Sequence, residues 1–210
     1  MSGAICSGVA AYLRPFLAVF FTGTAVKIMD DHIDTPLDAL VGNRTWAAEL
    51  KEAALPYALL ALSLGFLAEP NWSATLFWAS YAVGMRGDLN RPLALGLTGW
   101  QETAIVGVVI SPICGWQALL TSWAAVFSIQ GIDDLIDQKT DKAAGADNWA
   151  TRWGVIETSL LVAIAIGILA CLDVTKLVLV FSSCLLIIII LHYGARKGGR
   201  TGVDSDTMLS

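Results

Sequence analysis

Two nine-residue stretches of this chain share one pattern. Residues 30–38 read DDHIDTPLD and residues 133–141 read DDLIDQKTD. Both fit Asp-Asp-x-x-Asp-x-x-x-Asp, and each closes a long apolar run. They hold eight of the eighteen acidic residues. Asp30, Asp34 and Asp38 recur every four residues, as do Asp133, Asp137 and Asp141, and Asp31 and Asp134 each add a carboxylate. Residues i and i+4 share a face of a helix. Carboxylates gathered at the C-terminal end of a helix repel one another and meet the negative end of its dipole. A divalent cation removes that penalty, and Mg2+ characteristically takes one or two carboxylates together with phosphate oxygens. The expected chemistry is therefore metal and phosphate chemistry at a membrane surface, weighed against an acidic, solvated loop end. Pro36 disfavours helix at Thr35, so Asp38 is expected to leave the helical face. The second window is expected to keep its helical spacing throughout.

The elements that must position these windows are apolar. Of 210 residues 56% are hydrophobic and 15% charged, with a mean hydropathy of +0.65. A soluble domain carries about 25% charged residues. The composition predicts an all-α, polytopic membrane bundle. Its apolar segments are roughly 8–30, 53–68, 72–86, 92–112, 114–132, 155–172 and 175–193, about seven membrane helices at about 20 residues each. The second and third are short and either borrow flanking residues or form a re-entrant pair around Glu69-Pro70-Asn71-Trp72. Residues 1–193 are expected to form one domain and 194–210 a polar, mobile tail. The first segment lacks a basic leader and is expected to be retained.

Alternating crossings place Arg44, Lys51, Arg86, Arg91, Lys139, Lys142, Arg152, Arg196, Lys197 and Arg200 on one side. Lys176 and Arg14 fall on the other. The asymmetry predicts that the first side, with both acidic windows and the C-terminus, is cytoplasmic and that the N-terminus is outside. The four cysteines, Cys6, Cys114, Cys171 and Cys184, lie in apolar segments without metal-ligand spacing and are expected to be small buried hydrophobes.

Among the other candidates, Lys27 lies one turn before Asp31 and either reaches a bound phosphate, snorkels to the interface or pairs with Asp31. Glu102 falls within the 92–112 segment, where an ionisable group is a functional hypothesis by default. The alternative is a helix break at Gly99-Trp100 that leaves Glu102 facing water. Trp72 and Trp116 suit an outer interfacial belt, and Trp149 and Trp153 an inner one. Trp78, Trp100 and Trp123 are expected in packing or lipid-facing roles, with a cation-stabilising pocket as the alternative. His32 is expected to be incidental and His192 interfacial.

Taken together, these residues resemble the UbiA-type intramembrane prenyltransferases. The first window is similar to that family's Asn-Asp-x-x-Asp-x-x-x-Asp motif, with Asp30 in place of Asn. The second is similar to its Asp-x-x-x-Asp-x-x-x-Asp motif at Asp133, Asp137 and Asp141. The loop YAVGMRGDLNRPLALGLTGW (81–100) resembles the family's basic loop, and DKAAGADNWATRWG (141–154) resembles the segment after its second motif through Gly145 and Gly154. The resemblance runs over roughly residues 8–193. It implies nine helices around a central cavity open to the cytoplasmic face, so the family's first and last are expected to be missing here. The substituted Asn and the lack of a Lys in 146–150 bear on acceptor choice more than on metal binding.

The resemblance implies a function. Asp30, Asp31, Asp34, Asp38, Asp133, Asp134, Asp137 and Asp141 would hold Mg2+, with Asp31, Asp34, Asp134 and Asp137 central to ionisation. Lys27, Arg86, Arg91 and Lys142 would contact the diphosphate of a prenyl diphosphate, and Glu102 would serve the acceptor or take a proton. The expected reaction transfers the prenyl group to a lipophilic acceptor inside the membrane. The runner-up is a membrane-embedded terpene cyclase or prenyl diphosphate lyase that needs no acceptor. A divalent-cation transporter is a distant third, because transporter ion sites usually lie near the bilayer midplane. Membrane lipid is an expected partner and nucleic acid is not; the expected location is a bacterial or archaeal cell membrane.

Overall fold

A computed structural model describes the backbone of residues 2–41, 45–84, 92, 96–145 and 148–201, and the side chains of 11–35, 45, 47–84, 92, 96–143, 145 and 148–191. Seven long helices dominate: α1 (Ser2–Val41), α3 (Ala54–Ala68), α4 (Pro70–Gly84), α5 (Gly99–Cys114), α6 (Trp116–Ile136), α9 (Val155–Leu172) and α10 (Val174–Thr201). Short helices α2 (Trp46–Leu50), α7 (Gln138–Ala144) and α8 (Trp149–Arg152) lie between them. Among the described residues there is no strand beyond an isolated bridge between Pro92 and Thr98.

Three tight turns reverse the chain, each for a local reason. Glu69 is extended, and Pro70, which has no amide to donate, opens α4 where none is needed. Gly115 takes a positive φ between α5 and α6. Asp173 caps α10 by accepting the Lys176 amide at 2.9 Å. These turns gather at one end. Arg14 Nε donates to the Ala68 carbonyl at 3.1 Å, Cys114 Sγ meets Asn71 Oδ1 at 3.6 Å, and Gln117 Nε2 reaches the Leu172 carbonyl at 3.4 Å. Asp30 lies about 24 Å further along the same helix as Arg14, at the opposite end.

Small residues bring the helices together. Val19, Leu76, Ala124, Ala125, Ala165, Leu169 and Val180 form one core cluster, and Ile28, Ala47, Ala54 and Ala58 a second beneath the first window. Large apolar side chains point outward instead: Leu67, Val108, Ile113, Ile156 and Leu185 are all exposed. Alanine-lined contacts beneath an outer coat of Leu, Ile and Val are what packing in lipid favours. Three stretches, Ala47–Ala68, Val155–Leu172 and Val174–Leu191, are long and apolar enough to cross a membrane.

The helices depart from the sequence expectation at four places. α1 continues through Pro36 to Val41, so the first window stays on one helix, with Asp30, Asp34 and Asp38 on one face of the backbone. Thr35 Oγ1 donates back to the Asp31 carbonyl at 2.9 Å in the turn before the proline. The second window is instead the broken one: α6 stops at Ile136, Asp137 bends, and α7 restarts at Gln138. The 92–112 segment is not one helix, because Gly96 takes a positive φ and the Pro92–Thr98 bridge closes a loop before α5 begins. α10 runs on through Gly194 to Thr201, into what was expected to be tail. One smaller correction concerns Cys171, which is exposed on α9 rather than buried.

Candidate active site

The first window supplies carboxylates from α1. Asp31 is buried, Asp30 and Asp34 are exposed, and the Lys27 ammonium lies between the first two. Lys27 Nζ is 3.0 Å from Asp31 Oδ1 and 3.4 Å from Asp30 Oδ2. The pairing with Asp31 that competes with a diphosphate role is therefore present. Lys27 also acts across the bundle, since its charge and that of Asp30 both bear on Asp133 at the end of α6. Asp137 and Asp134 bear on Asp133 as well. The same two groups, Asp133 and Lys27, act on Cys184 of α10. Lys27 thus pairs with two carboxylates of its own helix and lies within electrostatic reach of Asp133 at the end of α6.

Within the second window the carboxylates divide into two sets. Asp133 and Asp137 are exposed, whereas Asp134 is 4% exposed. Gln130 Nε2 donates to Asp134 Oδ1 at 2.9 Å, and the Trp149 amide donates to Oδ2 at 2.7 Å. The Asp134 carbonyl, which an unbroken helix would pair with residue 138, accepts Asn148 Nδ2 at 2.8 Å. Asn148 Nδ2 also donates to Asp141 Oδ2 at 2.7 Å, while its Oδ1 caps α8 by accepting the Thr151 amide at 3.1 Å. Asp134, Asp141 and Asn148 therefore lock α8 against the break in α6. Gly145, at a left-handed φ of 72°, makes the turn that returns the chain to them, and Gly154, at φ 107°, the turn into α9.

The other expected residues are placed less centrally. Lys142 is exposed on α7. Arg86 and Arg91 lie outside the described residues, as does the side chain of Asp38. Glu102 occupies the first turn of α5, where the helix dipole favours an acid. It is not in the middle of an apolar helix; the break at Gly99 is the arrangement found. Tyr81 Oη donates to Glu102 Oε2 at 2.5 Å, joining α4 to α5.

An aromatic stack extends from the locked segment. Trp153, Trp149, Phe127 and Trp123 follow one another at centroid distances of 5.3, 4.5 and 5.0 Å. Trp149, expected in an interfacial belt, is buried, and its amide holds Asp134.

Lys176 was expected as an outer loop charge, but it is 2% exposed. Its Nζ donates to the Ala118 carbonyl, Thr121 Oγ1 and Ser122 Oγ at 3.2, 3.0 and 2.9 Å and lies 5.1 Å from the Trp72 ring centroid. Ser122 in turn donates to Thr75 Oγ1 at 2.8 Å. Three neutral acceptors and an aromatic face satisfy the ammonium beside a cavity of about 500 Å3 at the turn end. The signal for this was Thr75, Thr121 and Ser122, hydroxyls inside apolar helices.

The donors near Lys27 are hard carboxylate oxygens, which suit Mg2+ rather than a softer metal. Among the described residues no three Asp, Glu, His or Cys side chains are grouped to hold an ion by themselves. The chain matches no family model, no curated protein and no solved structure.

Proposed function

We propose that this chain ionises a prenyl diphosphate at the ends of α1 and α6 and transfers the prenyl group to a lipophilic acceptor within the membrane. The observation that carries the reading is the pairing of Asp30 and Asp31 with Lys27 at the edge of an apolar bundle, with Asp133 of α6 within electrostatic reach of the same ammonium. Carboxylates around one cation make a site for a polyanion only if further cations accompany it. Asp30, Asp31, Asp34, Asp133 and Asp137 would hold Mg2+, which when bound supplies positive charge to the leaving pyrophosphate. Lys27 adds an ammonium that donates to phosphate oxygens once it turns from Asp31. Asp134 and Asp141 act at one remove, fixing the bend that presents Asp133 and Asp137. In the proposed topology all seven long helices span the bilayer around a cavity at the window end, which faces the cytoplasm.

A second reading, a cyclase or lyase acting without an acceptor, is favoured by the aromatic stack. Indole and phenyl faces attract cations, and the stack leads from the second window into the apolar bundle. Incubation of the purified protein with farnesyl diphosphate and Mg2+ tests both readings. Pyrophosphate release that stops with chelator supports ionisation at the windows; a hydrocarbon product without added acceptor favours the cyclase. No pyrophosphate release from prenyl diphosphates of several lengths, with metal flux in liposomes, would replace both with a transporter.

A further inference from the structure

A second apolar feature lies away from the acidic windows. α4, α5 and α6 enclose a groove of about 820 Å3 on the side of the bundle. Four of the eight tryptophans line it: Trp78, Trp100, Trp116 and Trp123. Trp100 stands in the first turn of α5 and Trp116 opens α6 beyond the turn at Gly115, so the two flank opposite ends of α5, a helix about 24 Å long. Among the described residues, the large exposed apolar side chains of α9 and α10 are, by contrast, all Leu, Ile or Val. Indoles concentrated in one concave strip are therefore not this protein's ordinary outer surface.

The groove is built rather than incidental. Trp78 Nε1 donates to the Thr103 carbonyl at 3.0 Å, fixing the ring against α5. Gly107 gives that ring its seat, since a Cβ there would come within 3.0 Å of the indole. Thr103 also lines the groove, and its buried Oγ1 has no hydrogen-bond partner among the described residues. An orphaned buried hydroxyl costs free energy that a ligand's polar group relieves. Threonine in a helix has two accessible χ1 rotamers, so the hydroxyl turns without backbone movement.

We propose that this groove binds a single-chain apolar molecule bearing one hydroxyl, with its chain along the indoles and its hydroxyl on Thr103 Oγ1. A long, aromatic, narrow strip suits one unsaturated chain, and the lone orphaned group suits one polar end. The site does not depend on the diphosphate chemistry.

The test is photolabelling in nanodiscs with a diazirine-bearing farnesol analogue, mapped by mass spectrometry. Label should concentrate on α4, α5 and α6, and unlabelled farnesol should compete where the hydrocarbon lacking its hydroxyl does not. Val108→Trp, which fills the groove from a residue 74% exposed, should abolish that labelling with the fold intact. Thr103→Val should leave thermal stability unchanged or raised, since it removes an unpaired hydroxyl, and should reduce the preference for the alcohol about fivefold. Label spread evenly over α9 and α10, or labelling indifferent to Val108→Trp, would reduce the groove to lipid-facing surface and overturn the proposal. Equal competition by alcohol and hydrocarbon would overturn the role of Thr103. Pyrophosphate release, read separately, is expected to survive both substitutions.

Discussion

The two acidic windows have the same spacing and different structures. The first is one continuous helix whose carboxylates meet a lysine of their own chain segment. The second is broken at Asp137, and two of its four carboxylates are spent on holding the chain that follows. A repeated motif thus need not mean a repeated job. On the proposed reading, the carboxylates that accept protein amides position the site, and Asp30, Asp31 and Asp133, nearer Lys27, would hold metal and phosphate.

The largest effect expected from this contrast is on turnover. Asp31→Asn and Asp133→Asn should each lower Mg2+-dependent pyrophosphate release roughly 10²–10³-fold, as loss of a group that stabilises a leaving anion does. Far-ultraviolet circular dichroism should stay unchanged. Full activity in both would dissolve the proposed site. Lys27→Met should cost less, about tenfold to a hundredfold, the equivalent of one charge-assisted hydrogen bond to phosphate. Its loss should appear in pyrophosphate release at saturating Mg2+, where a merely structural pairing would show no defect.

Asp134→Ala should act on stability first. It leaves the Trp149 amide and the Gln130 amide group without their acceptor, at about 2 kcal/mol or more. Denaturation in detergent should show the loss, and Asp134→Asn should recover part of it. An Asp134→Ala protein of wild-type stability without activity would return Asp134 to the metal set. The smallest effect is expected from Asp141→Ala. Asn148 keeps its bond to the Asp134 carbonyl, so about 1 kcal/mol is at stake.

Much of the helix layout was legible in the sequence, because apolar runs bounded by Glu69-Pro70, Gly115 and Asp173 leave the chain few other choices. The start of α5 was not. Leu93, Leu95 and Leu97 read as helix by hydropathy, whereas Gly96 takes a positive φ and Thr98 is extended before α5 begins. Pro36 misled in the opposite direction, since its local bias is overridden within a long helix packed on α3. The break in the second window was invisible because its cause, Asn148, lies fourteen residues beyond Asp134 and acts through space. Lys176 was misread for the same reason: its acceptors come from α6, and no local pattern in α10 announces them. Residue types and spacing named the chemical groups, while tertiary contacts decided which of them hold the chain.

The most direct test of this division is the pyrophosphate released from farnesyl diphosphate by wild-type and Asp133→Asn protein, each with Mg2+ and with chelator. The account predicts metal-dependent release by the wild type and its loss in a folded Asp133→Asn protein. Release that ignores the metal, or that survives in Asp133→Asn, would contradict it.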